Sequence, residues 1–169
     1  MIFDSFLSDV FSTFVGGILL ALSFFWIREK WFSFPEIEGR WFIKTDTIES
    51  DYDDFRNMIL VFNAMIWREE NLIKGTAEKI YEMSSTVQKE YVGKERTRSE
   101  VNGWIERKYF SRDRIYLHVV EQGHRRESTT FYTLVLEQDD RMVGTFVSMV
   151  ANVKGRASCS RDLELPHSA

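Results

Sequence analysis

The chain has 169 residues, of which 44% are hydrophobic and 28% charged, with a formal net charge of −4 and one cysteine. A mildly acidic balance excludes a general nucleic-acid binder, which would carry a net basic footprint, so neither DNA nor RNA is an expected partner. The lone Cys159 excludes an intramolecular disulfide framework and agrees with a reducing compartment.

The first element is the uncharged apolar run 10–27. At helical rise it covers about 27 Å, close to the ~30 Å hydrocarbon core of a bilayer. No polar stripe recurs every third or fourth position, as it would on the surface of a soluble helix. Ser8 precedes it, and Ser12, Thr13 and Ser23 interrupt it only with small hydroxyls that can bond back to the helix's own carbonyls. Gly16 and Gly17 lie near its middle, where small residues let two such helices approach closely. Trp26 and Trp31 flank its downstream edge as an interfacial belt would.

Asp4 and Asp9 precede the run, with no Lys or Arg, and Arg28 and Lys30 follow it. The positive-inside bias therefore predicts a single-pass anchor with the following domain in the cytoplasm. A cleaved signal peptide would want a basic n-region and a small-residue cleavage site. Here the n-region is acidic and the run ends in Phe24-Phe25-Trp26-Ile27. A buried core helix fits poorly too, because a domain of ~140 residues seldom encloses a helix that is apolar all round. The expected organisation is an anchor and juxtamembrane segment over 1–36 (span about 8–27), a domain over 37–163 and a tail over 164–169.

After Pro35 the pattern becomes strand-like, with β-branched and aromatic stretches between short polar breaks. Strands are expected over 39–47, 57–67, 72–83, 86–95, 101–110, 114–122, 128–137, 142–150 and 155–161. The stretch 57–67 also fits a helix at a barrel mouth. Breaks this short demand antiparallel neighbours. Eight or nine such strands favour a closed barrel, because closure removes both sheet edges. Ile115, Leu117 and Val119 alternate against Arg114, Tyr116 and His118, and Tyr132, Leu134 and Leu136 against Thr129, Thr133 and Glu137. Charges read as outward, Glu106, Lys108, Glu121 and Arg126, exclude a barrel that crosses the membrane. The fold class expected is all-β: an up-and-down eight-stranded, lipocalin-like barrel behind one transmembrane helix.

Nothing in the sequence points to catalysis. His118, His124 and His167 lack metal-ligand spacing with each other or with Cys159. There is no glycine-rich phosphate loop and no G-x-S-x-G elbow. The acidic loop 49–54 lacks the glycine and closing Glu of a calcium loop. Neither a cofactor nor a metal is expected, and Cys159 reads as a small packed thiol.

Binding is what remains. Small barrels hold ligands in the mouth or lumen. Basic residues cluster at Lys94, Arg96 and Arg98, at Arg107, Lys108, Arg112 and Arg114, and at His124, Arg125 and Arg126. A small dianion would need a few such donors converging with aromatics on one rim. The candidate ligand-binding set is Arg107, Tyr109, Tyr132, Thr145, Ser148 and Arg156, with Trp104 nearby.

Two motifs sharpen the fold. Glu38-Gly39-Arg40-Trp41 opens the first strand with the G-x-W that lipocalin-like barrels use, where the Trp closes one end. Leu134-Val135-Leu136 then leads through an acidic turn at Asp139 and Asp140 into Gly144-Thr145-Phe146, and a last strand follows Gly155. Joined to the anchor, this resembles the transmembrane β-barrel effectors of CBASS anti-phage defence. That resemblance implies a barrel binding a cyclic dinucleotide, homo-oligomerisation on binding, and disruption of the cell inner membrane by the anchors. The family commonly carries two transmembrane helices, whereas this sequence has room for one. The alternatives are a tethered lipocalin-like binder of a lipid or other apolar ligand, and a structural barrel of an envelope complex.

Overall fold

The structure, a computed structural model, describes residues 2–31, 35–108, 111–123, 127–138 and 140–163, with backbone alone for 2–8 and 28–31. The chain divides into two compact units, Met1–Pro35 and Glu36–Ala169. The first is one helix, α1 (Ile2–Trp31). Its stretch Asp9–Ile27 is the one segment among the described residues long and apolar enough to cross a membrane. Phe11, Phe14, Leu20, Phe24 and Phe25 all stand exposed, and none of that stretch is buried. Thr13 Oγ1 donates to the Asp9 carbonyl at 2.8 Å, which keeps that hydroxyl satisfied without water.

The second unit is a barrel. Its strands are β1 (Gly39–Glu49), β2 (Ile59–Glu69), β3 (Leu72–Met83), β4 (Gln88–Glu90), β5 (Arg98–Glu106), β6 (Arg114–Gln122), β7 (Glu127–Gln138), β8 (Arg141–Ser148) and β9 (Lys154–Ser160). Every pairing is antiparallel, and β9 returns to β1 with Ile43 opposite Cys159. Eight strands therefore close on themselves in chain order. The ninth, β4, is a short appendage: β3 pairs with β5 over residues 72–78 and with β4 over 81–83.

The stretch 57–67, where strand and helix were both open, forms strand β2. Two expectations change in detail. The strand expected over 86–95 shrinks to β4, whose Gln-Lys-Glu offers no apolar side chain to a core, and a 3₁₀ turn (Gly93–Glu95) follows it. Glu121, read as outward, lies in phase with the buried Ile115, Leu117 and Val119 and faces the interior.

Two devices shape the barrel. On the inward face, a Cβ at Gly144 would collide with the Thr133 carbonyl of β7, and one at Gly103 with the Tyr116 carbonyl of β6. Only glycine lets neighbouring strands approach this closely as the sheet coils shut. The second device is a plug. Trp41 is fully buried, its Nε1 donates to the Ile37 carbonyl at 2.7 Å, and the Arg161 guanidinium lies 4.0 Å from its ring centroid. Arg161 Nη1 also donates to the Glu38 carbonyl at 2.6 Å, ahead of Gly39 at φ +103°. The chain thus enters the barrel through the end that it seals. Above Trp41, Ile43, Ile73, Ile115, Leu134 and Met142 pack the lumen to near-complete burial. Packing stops partway, and the other end is open.

Candidate functional site

The open end holds a cavity of about 340 Å³, rimmed by the loops that join β1 to β2, β6 to β7 and β8 to β9. Apolar side chains, Leu60, Phe62, Phe146, Met58, Val150 and Val153, interleave around it with polar ones. These are Thr45 and Thr47 from β1, Ser128 and Thr130 from β7, Ser148 from β8, and three charged groups, Lys79, Glu82 and Glu121. Tyr132 also lines it, its ring stacked on Phe146 with centroids 6.0 Å apart.

The charged groups form one cluster. Lys79 Nζ lies 3.4 Å from Glu82 Oε2 and 3.5 Å from Glu121 Oε1. The Tyr91 hydroxyl donates to Glu82 Oε2 at 2.8 Å, and Lys79 and Lys89 approach its ring to 5.2 and 4.9 Å. Burial, the bond to Glu82 and the surrounding carboxylates push the Tyr91 phenol up to about 12. Burial, and then the neighbouring Cys159 and Glu121, push Tyr132 still further above the ordinary tyrosine value. Both phenols are neutral at physiological pH and able to donate.

Register explains how Lys79 and Glu82 meet. Residues three apart on a regular strand face opposite sides. Here Phe62 pairs with Lys79 while Val61 pairs with Tyr81, so Ile80 is an inserted residue and the strand bulges. The bulge returns Glu82 to the inner face beside Lys79. It also turns Ile80 and Tyr81 onto Val61, with Phe42, Ile59 and Met83 against them in a small second core.

The residues expected from sequence divide. Tyr132 and Ser148 line the cavity. Thr145 and Arg156 pair with each other across β8 and β9, and both are exposed on the outer face. Arg107 follows β5 at the closed end, remote from the mouth. Tyr109, His124, Arg125, Arg126 and His167 lie outside the described residues. Trp41 occupies the closing position expected of it, while His118 and Trp104 stack outside the barrel on Phe131 and Tyr116. Arg96 and Arg98 pair with Glu78. On α1, nothing lies within 4 Å of where a Cβ would stand at Gly16 or Gly17, and Trp26 is exposed.

No family model matches the chain, and no curated protein does. The site therefore rests on its geometry. Sequence reasoning missed Lys79, Glu82, Glu121 and Arg161. One signal was present for Glu121, a charge in phase with three apolar inward residues, but the bulge that aims Glu82 leaves no such mark. Among the described residues, no three His, Cys, Asp or Glu side chains are grouped as a metal site requires.

Proposed function

We propose that this chain is a membrane-anchored, non-catalytic receptor, with α1 in a bilayer and the open half of the barrel taking up a small ligand. The observation that carries this reading is the half-filled lumen. Eight-stranded barrels are just wide enough for side chains to fill or for one small ligand to enter. Here the packed core gives way to a cavity of about 340 Å³ lined by mixed apolar and polar groups, within the range of small-molecule sites. The charge bias across the span, Asp4 and Asp9 before it and Arg28 and Lys30 after it, favours a barrel on the cytoplasmic side.

A thermal-shift screen of the full-length chain in lipid nanodiscs tests the reading. A ligand present at a hundred times its dissociation constant adds about 2.7 kcal/mol, a rise of roughly 10 °C for a domain of this size. Ser148→Trp, which fills the mouth, abolishes that rise. A hit whose shift survives Ser148→Trp binds elsewhere and sinks the proposal.

The CBASS-effector reading stays as a second proposal, favoured by the pairing of one anchor with a closed eight-stranded barrel. In that case a cyclic dinucleotide would seat at the mouth and draw barrels together, and weak helix contacts at Gly16 and Gly17 would add up. The lining departs from what a dianion wants, because Glu82 and Glu121 outnumber Lys79. Cyclic dinucleotides belong in the same screen, with sedimentation as the second readout. Stabilisation coupled to self-association carries this reading, and silence across the panel ends it.

A further inference from the structure

We propose, resting on the lumen-receptor reading, that the ligand is a small monocationic amphiphile: an apolar body carrying one protonated nitrogen. The charge count comes first. Glu82, Glu121 and Lys79 are the charged side chains lining the cavity among the described residues, and they sum formally to −1. All three are largely withdrawn from water, with side-chain exposures of 23, 19 and 16%. Lys79 is shared between both carboxylates, and Glu82 is further served by Tyr91. Glu121 has Lys79 alone, through Oε1 at 3.5 Å, and no hydrogen bond to its other oxygen among the described residues. That oxygen is free to accept from a ligand cation or N–H group entering the cavity.

Tyr132 supplies a second feature. It is 3% exposed and lines the cavity, and burial keeps its phenol neutral and able to donate. The rings of Tyr132, Phe146 and Phe62 line the cavity and give the ligand body an apolar bed.

Size sets the remaining bound. At ~30 Å³ for each water-sized group, the cavity holds a ligand on the order of a dozen heavy atoms. An anion of that size would meet two carboxylates, and an uncharged one would leave Glu121 as it is.

The test uses three probes with one indole body: tryptamine, which is cationic, tryptophol, which is neutral, and indole-3-acetate, which is anionic. Each is titrated calorimetrically into the full-length chain in nanodiscs. Tryptamine is expected to bind about tenfold tighter than tryptophol, and indole-3-acetate more weakly than either. Glu121→Gln is expected to erase the preference for tryptamine while leaving tryptophol binding in place. Equal affinity for all three, preference for the anion, or a preference for tryptamine that survives Glu121→Gln overturns the charge assignment and leaves the receptor reading standing. No binding by any probe at millimolar concentration overturns both.

Discussion

Exchanging Arg161 for Met keeps the aliphatic stem over the Trp41 ring and deletes only the guanidinium. Two contributions go with it. The guanidinium, itself half-exposed, lies 4.0 Å from the centroid of a fully buried indole, a cation–π contact worth about 1 kcal/mol. The bond from Nη1 to the Glu38 carbonyl at 2.6 Å contributes roughly another 0.5–1 kcal/mol, the group being half-exposed. Longer bonds to the Glu36 and Arg40 carbonyls, both at 3.3 Å, add little. The expected loss is about 2 kcal/mol, or roughly 8 °C in Tm for a domain of this size. Urea unfolding of the full-length chain in detergent, followed by circular dichroism, measures it, and a cycle with Trp41→Phe isolates the ring contact. The coupling energy expected is about 1 kcal/mol. If Arg161→Met costs under about 0.5 kcal/mol, or the coupling is indistinguishable from zero, the seal does not depend on this pair.

Three further outcomes follow from the same geometry. Cys159 is fully buried and its thiol is pushed up to about 12 by that burial, so native protein should resist alkylation at pH 8 and react only once unfolded. Fast labelling of the native state would contradict that placement. Tyr91, pushed up to about 12 from its ordinary 10, ionises first in the unfolded chain. Its contribution is therefore intact below pH 10 and lost as pH rises toward 12, and Tyr91→Phe should flatten the fall in stability across that window; an unchanged slope would refute it. Gly144→Ala places a methyl against the Thr133 carbonyl, where backbone has nowhere to yield, and should cost at least about 3 kcal/mol or block folding, as read by urea midpoint. A loss under 1 kcal/mol would mean the β7–β8 approach is looser than it stands here.

Much of this architecture was legible in one dimension. A helix apolar on every face can be recognised without neighbours, because no polar stripe marks a side for water. Period-two alternation placed Ile115, Leu117 and Val119 together inside, and the short breaks left antiparallel pairing as the available topology. The position of Trp41 after Gly39 marked the closed end. The stretch 86–95 misled because β-rich composition says nothing about whether a strand has a core to face, and Gln88-Lys89-Glu90 has none.

Beyond Tyr132 and Ser148, tertiary structure decided the site. Thr145 and Arg156, chosen from sequence for their chemistry, point outward because strand phase overrides residue type. Lys79 and Glu82 share the lumen only because β2 and β3 slip by one residue at Ile80, a register choice made between strands. Arg161 reaches Trp41 from the far end of the barrel chain, and Glu121 meets Lys79 across the end of β5. Periodicity is a local property of the backbone and survives in the sequence. Register, closure and the level at which a lumen stops being filled depend on contacts between distant residues, and these exist only once the sheet has closed.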